Sequence, residues 1–501
     1  MKSQPTLSAF GFFTLTAAML MSADEYPAFA QSGLLATFFL VAAGLLWFLP
    51  VALVAAQMAT VPGWHDGGVY TWVKGGLGQR AGFIAIFFQW LQITVNFITM
   101  IYFVIGVLAY AVGIPSLNTN PWLKFALFIF IYWVMTAGQL RGINGTDRIV
   151  KWTFMLGIVL PAFILLGLGI AYLLQGHPLQ FTTSISSNVT TLSHSVSLTT
   201  IVPYILAFTG IEASASYIMD LKRPARNYPL IMLVLVVFAI VLDSFGGLSV
   251  AAVVPARELS LNQGVIQAIA KMINIITSQP LSLVVKGLGL LMAVGMLGEI
   301  SSWIVGPVKS LLVTAEDNIL SPWFSTVNKD QVPVRLVILQ GALVTLIGLV
   351  LTVGFGGNNA AFSMAMSLTV MLYLVMYILM FTAFLRLSLK RQFTTATFKV
   401  PGGFGSELVI GGLGLISSLL VFGSTFLPTS STTITKPVYA AMMGGFFLIV
   451  LAATLFIYSR RQTGHVTRSW HVRHLRHDEV PKFTQIQGRG EHTIEPNEPK
   501  Q

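Results

Sequence analysis

The sequence predicts an all-α membrane protein of twelve transmembrane helices, built as a 5+5 inverted repeat with two further helices behind it. Three observations carry this. Hydrophobic residues make up 55% of the 501-residue chain and charged residues only 9%, where a soluble domain is nearer a quarter charged. Twelve apolar runs of bilayer-crossing length follow one another. The first and the sixth are interrupted by residues that a helix meant only to cross lipid does not carry. The chain has no cysteine, which excludes disulfides, thiolate zinc sites and thiol catalysis. The formal charge of +11 does not point to nucleic acid, because the basic residues lie between the apolar runs and in the tail.

In chain order the expected spans are 7–30, 34–59, 81–109, 122–140, 152–174 and 198–220, then 230–254, 281–313, 336–353, 362–387, 408–427 and 438–458. The domain plan that follows is a membrane domain over 1–458 and a polar tail over 459–501. The first repeat covers about 7–174, the second about 198–387, and helices eleven and twelve 408–458. Lys2, the apolar run to Met21 and Ala28-Phe29-Ala30 have the outline of a signal peptide. A single positive charge and Asp24-Glu25 inside the run argue instead for a retained helix. Alternate connectors hold most of the basic residues, among them Lys74, Arg80, Arg141, Arg148, Lys222, Arg223, Arg386 and Lys390, and the positive-inside rule then puts both termini in the cytoplasm of a cell-membrane protein.

The interruptions are the chemically informative part. The first span carries Ser22-Ala23-Asp24-Glu25-Tyr26-Pro27, and proline removes a backbone hydrogen bond and disfavours helix in the residue before it. The sixth carries Gly210-Ile211-Glu212-Ala213-Ser214, a glycine and a carboxylate half-way down an apolar segment. Five is odd, so two five-helix halves have opposite topology, and breaks in spans one and six then fall at matching places. Such pairs mark transporter binding sites. A break exposes N–H groups on one half-helix and carbonyls on the other, which suit the carboxylate and the ammonium of an amino acid. The backbone of Ser22, Ala23, Gly210 and Ile211 is expected to play this part.

Intramembrane carboxylates take a functional reading by default. Asp24, Glu25, Glu212 and Glu299 are the candidates, with Asp243 read as structural. Buried among apolar groups, such a carboxyl has its charged form disfavoured, which suits titration in mild acid. Trp303 follows Glu299 by four residues and shares its helix face, as Tyr377 does Tyr373. An aromatic at this depth can stack on an aliphatic stem or hold an ammonium; equally, these rings can be packing residues. Neither a Gly-x-Gly-Asp pair nor His-Glu-x-x-His is present, so an intramembrane enzyme is not expected; an ion channel is the remaining class. No cofactor or metal is expected.

Gly-Gly-Val-Tyr-Thr-Trp at 67–72, Gly-Ile-Glu-Ala-Ser at 210–214 and Lys-Arg-Pro-x-Arg-x-x-Pro at 222–229 resemble the amino acid–polyamine–organocation superfamily over nearly the whole membrane part. Within it, Gly210–Ala215, the run from Glu299 to Pro307 and Val400-Pro401-Gly402-Gly403 are most similar to the bacterial acid-resistance glutamate/γ-aminobutyrate antiporters. The resemblance implies a LeuT-like fold and exchange of external glutamate for internal γ-aminobutyrate, active in acid. It implies a path lined by Glu212, Glu299, Trp303, Tyr373 and Tyr377, and metabolic coupling to a cytoplasmic glutamate decarboxylase. Antiport or proton symport of another amino acid, such as glutamine or arginine/agmatine, is the alternative. The first break departs from the superfamily's usual Gly-Ser-Gly, reading Ser22-Ala23-Asp24.

The tail is the other informative region. Eight basic residues against five acidic ones leave it at +3, and His465, His471, His474, His477 and His492 raise it to +8 when protonated. Histidine changes charge near pH ~6.5, so the composition is that of a pH-responsive segment, expected to plug the inner mouth at neutral pH and leave in acid. The family's C-terminal plug implies the same. The histidine spacing fits no metal-ligand pattern.

Overall fold

The computed structural model describes residues 8–461 except 21, 65–66, 141–151, 154, 195–197, 216, 219–220, 316, 322, 325, 331, 430–431 and 433. The five tail histidines therefore lie outside the described residues, as do Arg141, Arg148 and Lys151.

The expected first span is three pieces. Helix α1 (Ala9–Leu20) ends before Ser22, whose backbone is extended; a single 3₁₀ turn, Ala23–Glu25, follows and leads into α2 (Tyr26–Ala30), with Pro27 in its first turn, where proline's missing N–H costs nothing. The second span is continuous through α3 (Leu35–Ala43), a π-turn at Gly44–Phe48 and α4 (Leu49–Ala59). Pro50 lies just beyond this π-turn. The extra residue absorbs the hydrogen bond and the carbonyl clash that a proline imposes on the preceding turn.

In the connector after the second span lies helix α5 (Gly68–Leu77), with Val69, Tyr70, Trp72 and Val73 buried. Apolar residues at this spacing give one buried face, and that outweighs the glycines at its start. Gly78, at φ +92°, turns the chain into α6 (Gln79–Val112). Short α7 (Ser116–Thr119) and α8 (Pro121–Leu140) follow, then a second π-turn, Met155–Val159, again just ahead of a proline, and α9 (Leu160–Leu174). Gly157 in this π-turn lies so close to Gly295 that a Cβ on it would meet Gly295 Cα at 2.4 Å, the small-residue contact typical of helices crossing in lipid. Helix α10 (Ile185–His194) lies in the connector.

The sixth span is broken. A 3₁₀ turn (Leu198–Ile201) and α11 (Val202–Leu206) reach a turn at 207–210, and α12 (Ile211–Ala215) resumes. The interruption thus ends at Gly210 rather than starting there: Gly210 sits at φ +94°, a conformation only glycine takes freely, and the residues after it are helical. Helices α13 (Pro224–Val253), α14 (Gly264–Thr277), α15 (Ser282–Leu312), α16 (Val334–Leu349), α17 (Asn359–Leu389), α18 (Gly403–Ser424) and α19 (Lys436–Ser459) complete the membrane part. Asn358 caps α17, its side chain accepting from Ala360 and Ala361 N–H.

Among the described residues, eleven helices are long and apolar enough to cross a bilayer; the interrupted first span is the remaining one of the twelve expected. The most apolar stretch of α6 is 78% buried and that of α17 72%, against 17% for α19. So α6 and α17 form the centre, with α15 packed along α6, and α19 is peripheral.

Candidate functional site

The two breaks meet on one cavity of about 80 Å³. From the first come Ser22, Asp24 and Glu25; from the second, Thr209 and Gly210. Glu299 and Trp303 enter from α15, and Phe362, Met366 and Tyr373 from α17. The remaining wall is α6, which supplies Gln92, Asn96 and Thr99.

Three carboxylates, Asp24, Glu25 and Glu299, face this cavity, and among the described residues neither lysine nor arginine lines it. Asp24 accepts a hydrogen bond from the Ser22 hydroxyl two residues back, which holds the extended residue and the 3₁₀ turn together. Glu299 Oε2 is buried and has no hydrogen-bond partner among the described residues. A buried carboxylate oxygen left unpaired costs about 1–3 kcal/mol or more.

Ala23, Ile211, Glu212 and Tyr377 do not line the cavity. Glu212, only 1% exposed, turns instead into the contact between α6 and α17. Tyr373 donates to its Oε1 at 2.7 Å, Gln89 Nε2 to the same oxygen at 2.9 Å, and Tyr377 to Oε2 at 2.5 Å. The Tyr377 hydroxyl also accepts the Gly210 N–H at 3.1 Å. One of the donors that the break exposes is thereby satisfied from α17, and Glu212 anchors the break from behind. Asp243 is buried on α13 and does not line the cavity.

The polar residues of α6 are the ones that sequence reasoning missed. Gln89, Gln92, Asn96 and Thr99 recur every three or four residues along an otherwise apolar helix, which puts them on one face. That stripe was a signal available without the structure. Neutral amides and hydroxyls are less conspicuous than carboxylates in a hydropathy profile, yet in this cavity they outnumber any one element's charges.

The model of the amino acid permease family matches residues 7–449. The chain belongs to the amino acid permease family. Two relatives, the glutamate/gamma-aminobutyrate antiporters of Lactococcus lactis subsp. lactis (strain IL1403) and subsp. cremoris (strain MG1363), are 43% and 44% identical to it, each over 98% of both chains. Among solved structures, MhsT in complex with L-phenylalanine superposes with a TM-score of 0.58 at 14% identity, covering 84% of this chain and 99% of that one. The permease thus has a LeuT-like fold and is a multi-pass membrane transporter of amino acids, with its two helix breaks where that fold brings them together.

Proposed function

We propose that this permease exchanges external glutamate for internal γ-aminobutyrate and works best in acid. The single observation that carries the reading is the cavity between two helix breaks, faced by Asp24, Glu25 and Glu299, with an oxygen of Glu299 unpaired and no basic side chain among the described residues. Both substrates bring an ammonium that such an oxygen accepts, and Trp303 beside it offers a ring face to the same cation. Three carboxylates also repel an anionic amino acid unless protons neutralise them, which favours glutamate entry from an acidic side and exit of a product that carries one carboxylate fewer. The names of the two lactococcal relatives support the choice of substrates.

In this reading Ser22, Asp24, Glu25, Gly210, Glu299, Trp303 and Tyr373 contact substrate, and Glu212 and Tyr377 hold the second break. The basic connectors support cytoplasmic termini, and the tail's five histidines support an acid-released plug. A cytoplasmic glutamate decarboxylase would consume one substrate and supply the other, taking up a proton each cycle; no contact with it is implied. No catalysis is assigned to the chain.

The test is uptake of labelled glutamate into proteoliposomes, with γ-aminobutyrate inside or absent, about one pH unit below and above the ordinary histidine value of roughly 6.5. Uptake that needs internal γ-aminobutyrate and is faster in acid supports exchange. Uptake into empty vesicles would instead show a symporter, and no uptake by folded protein removes the substrate assignment.

A further inference from the structure

A second cavity, about 160 Å³ and apolar, lies where the π-turn of the second span, the half-helix before the second break and α18 meet. Ala43 and Trp47 form one wall, Ile201 and Ile205 another, Val421 a third. Its mouth is rimmed by Leu46, Leu198 and Leu420, which are 49%, 63% and 61% exposed. In membrane-spanning helices such residues face lipid, so the opening is continuous with the hydrocarbon-facing surface. Ala43 to Trp47 lie 8 to 12 residues into the span Leu35–Ala59, about 12–18 Å along it at ~1.5 Å per residue, the depth of acyl chains in a core ~30 Å thick. The polar groups at its edge are occupied: Ser424 donates to the Val421 carbonyl at 2.7 Å, and the Trp47 indole to Ser418 Oγ at 3.0 Å. The cavity offers a ligand dispersion contacts only.

What stands behind its walls distinguishes it from an ordinary crevice. The Trp47 ring packs edge-on against Tyr377, with centroids 4.8 Å apart, and Tyr377 is the residue that holds Gly210 and Glu212. Phe48, next in the π-turn, meets Phe208 inside the break at 5.2 Å. Within α11, Ile205 faces this cavity while its neighbour Leu206 faces the first one. We propose that the apolar cavity takes one acyl chain of a membrane phospholipid, which wedges the half-helix and the π-turn in place and so restrains the second break. Filled, it denies α11 the space into which it would otherwise tilt.

The full-length protein in phosphatidylcholine vesicles doped with a mid-chain diazirine phosphatidylcholine tests the binding. After illumination, crosslinks on residues 42–47 and 198–205 should exceed those on exposed Leu448 and Ile449 of α19 by about tenfold, roughly 1.4 kcal/mol of preference. Ala43→Leu, or Val421→Phe from the opposite wall, should abolish that excess and leave the α19 signal unchanged, which also reports folding. Uniform labelling, an excess indifferent to both filling variants, or crosslinks to a second copy of the chain overturns the proposal. The wedge is read without substrate. The chain has no cysteine, so Thr209→Cys provides one thiol in the break, and its maleimide labelling should be severalfold faster in lipid-depleted protein than in phosphatidylcholine vesicles, a difference that either filling variant should erase. An unchanged rate overturns the wedge, whatever amino acid the protein carries.

Discussion

The Tyr377 hydroxyl stands between Glu212 and Gly210, donating to the carboxylate at 2.5 Å and accepting the N–H of the glycine at 3.1 Å. A side chain from α17 thereby ties the start of α12 to the carboxylate that α12 itself carries. Tyr377→Phe removes both bonds and leaves two buried polar groups short of a partner, costing about 1–3 kcal/mol. Thermal unfolding of the purified variant should show that loss. Tyr373→Phe should cost less, since Gln89 still donates to the same oxygen of Glu212.

Gly210 is the second lever on the break. At φ +94° an added Cβ is strained, and Gly210→Ala should destabilise the protein by about 1 kcal/mol or more. Exchange should fall further than stability does, because the same residue lines the cavity.

Glu299→Gln keeps the shape of the side chain and removes its charge. If its unpaired oxygen receives the substrate ammonium, the apparent affinity for γ-aminobutyrate should fall about tenfold or more, the worth of a charge-assisted hydrogen bond of roughly 1.5–3 kcal/mol. Competition against labelled glutamate in proteoliposomes measures it, and an unchanged affinity removes Glu299 from the site.

Away from the membrane core, Asp317 joins Tyr70 and Lys74 of α5 to the segment beyond α15. Burial works against its charge, but hydrogen bonds from Lys74 and Tyr70 and the Lys74 ammonium outweigh it and hold the carboxyl below its ordinary range. A carboxylate with a depressed folded value stabilises the protein above its unfolded value of about 3.9 and loses that contribution as pH falls through the lower folded one. Lys74 is 40% exposed, so the pair is worth about 1 kcal/mol at most. Lys74→Met should therefore lower stability slightly at neutral and at mildly acidic pH alike, the difference vanishing only below the carboxylate range. A tie that survives mild acid does not sense it.

Sensing is expected from the tail. Deleting 467–501 removes four of its five histidines and keeps His465, and glutamate exchange should then persist at higher pH than in the full chain. A superimposable pH profile would disprove the plug.

Much of this was readable from residues. Hydropathy located the spans because the bilayer demands long apolar runs, and both breaks announced themselves by carboxylates, which lipid disfavours, beside glycine or proline. The depth of the second break was not readable. Gly210 looked like its beginning, whereas its left-handed backbone makes it the end of the turn at 207–210. Which way Glu212 points depends on α17, more than 150 residues away, and no local pattern encodes that. Helices α5 and α14 hid among turn residues, although Val265, Ile269, Met272 and Ile273 of α14 carry the spacing of one buried face. The amide stripe of α6 escaped notice because ionisable groups drew attention first.

That stripe sits on an uninterrupted helix of 34 residues, a rod of about 51 Å at ~1.5 Å per residue, far longer than a hydrocarbon core of ~30 Å. It must lean across the bilayer or stand proud of it, and with no break it cannot flex at the depth of the cavity. The opposite wall is made of two severed helices. The cavity thus has one continuous wall, marked by Gln92, Asn96 and Thr99, and faces across it two helices that are cut at its depth.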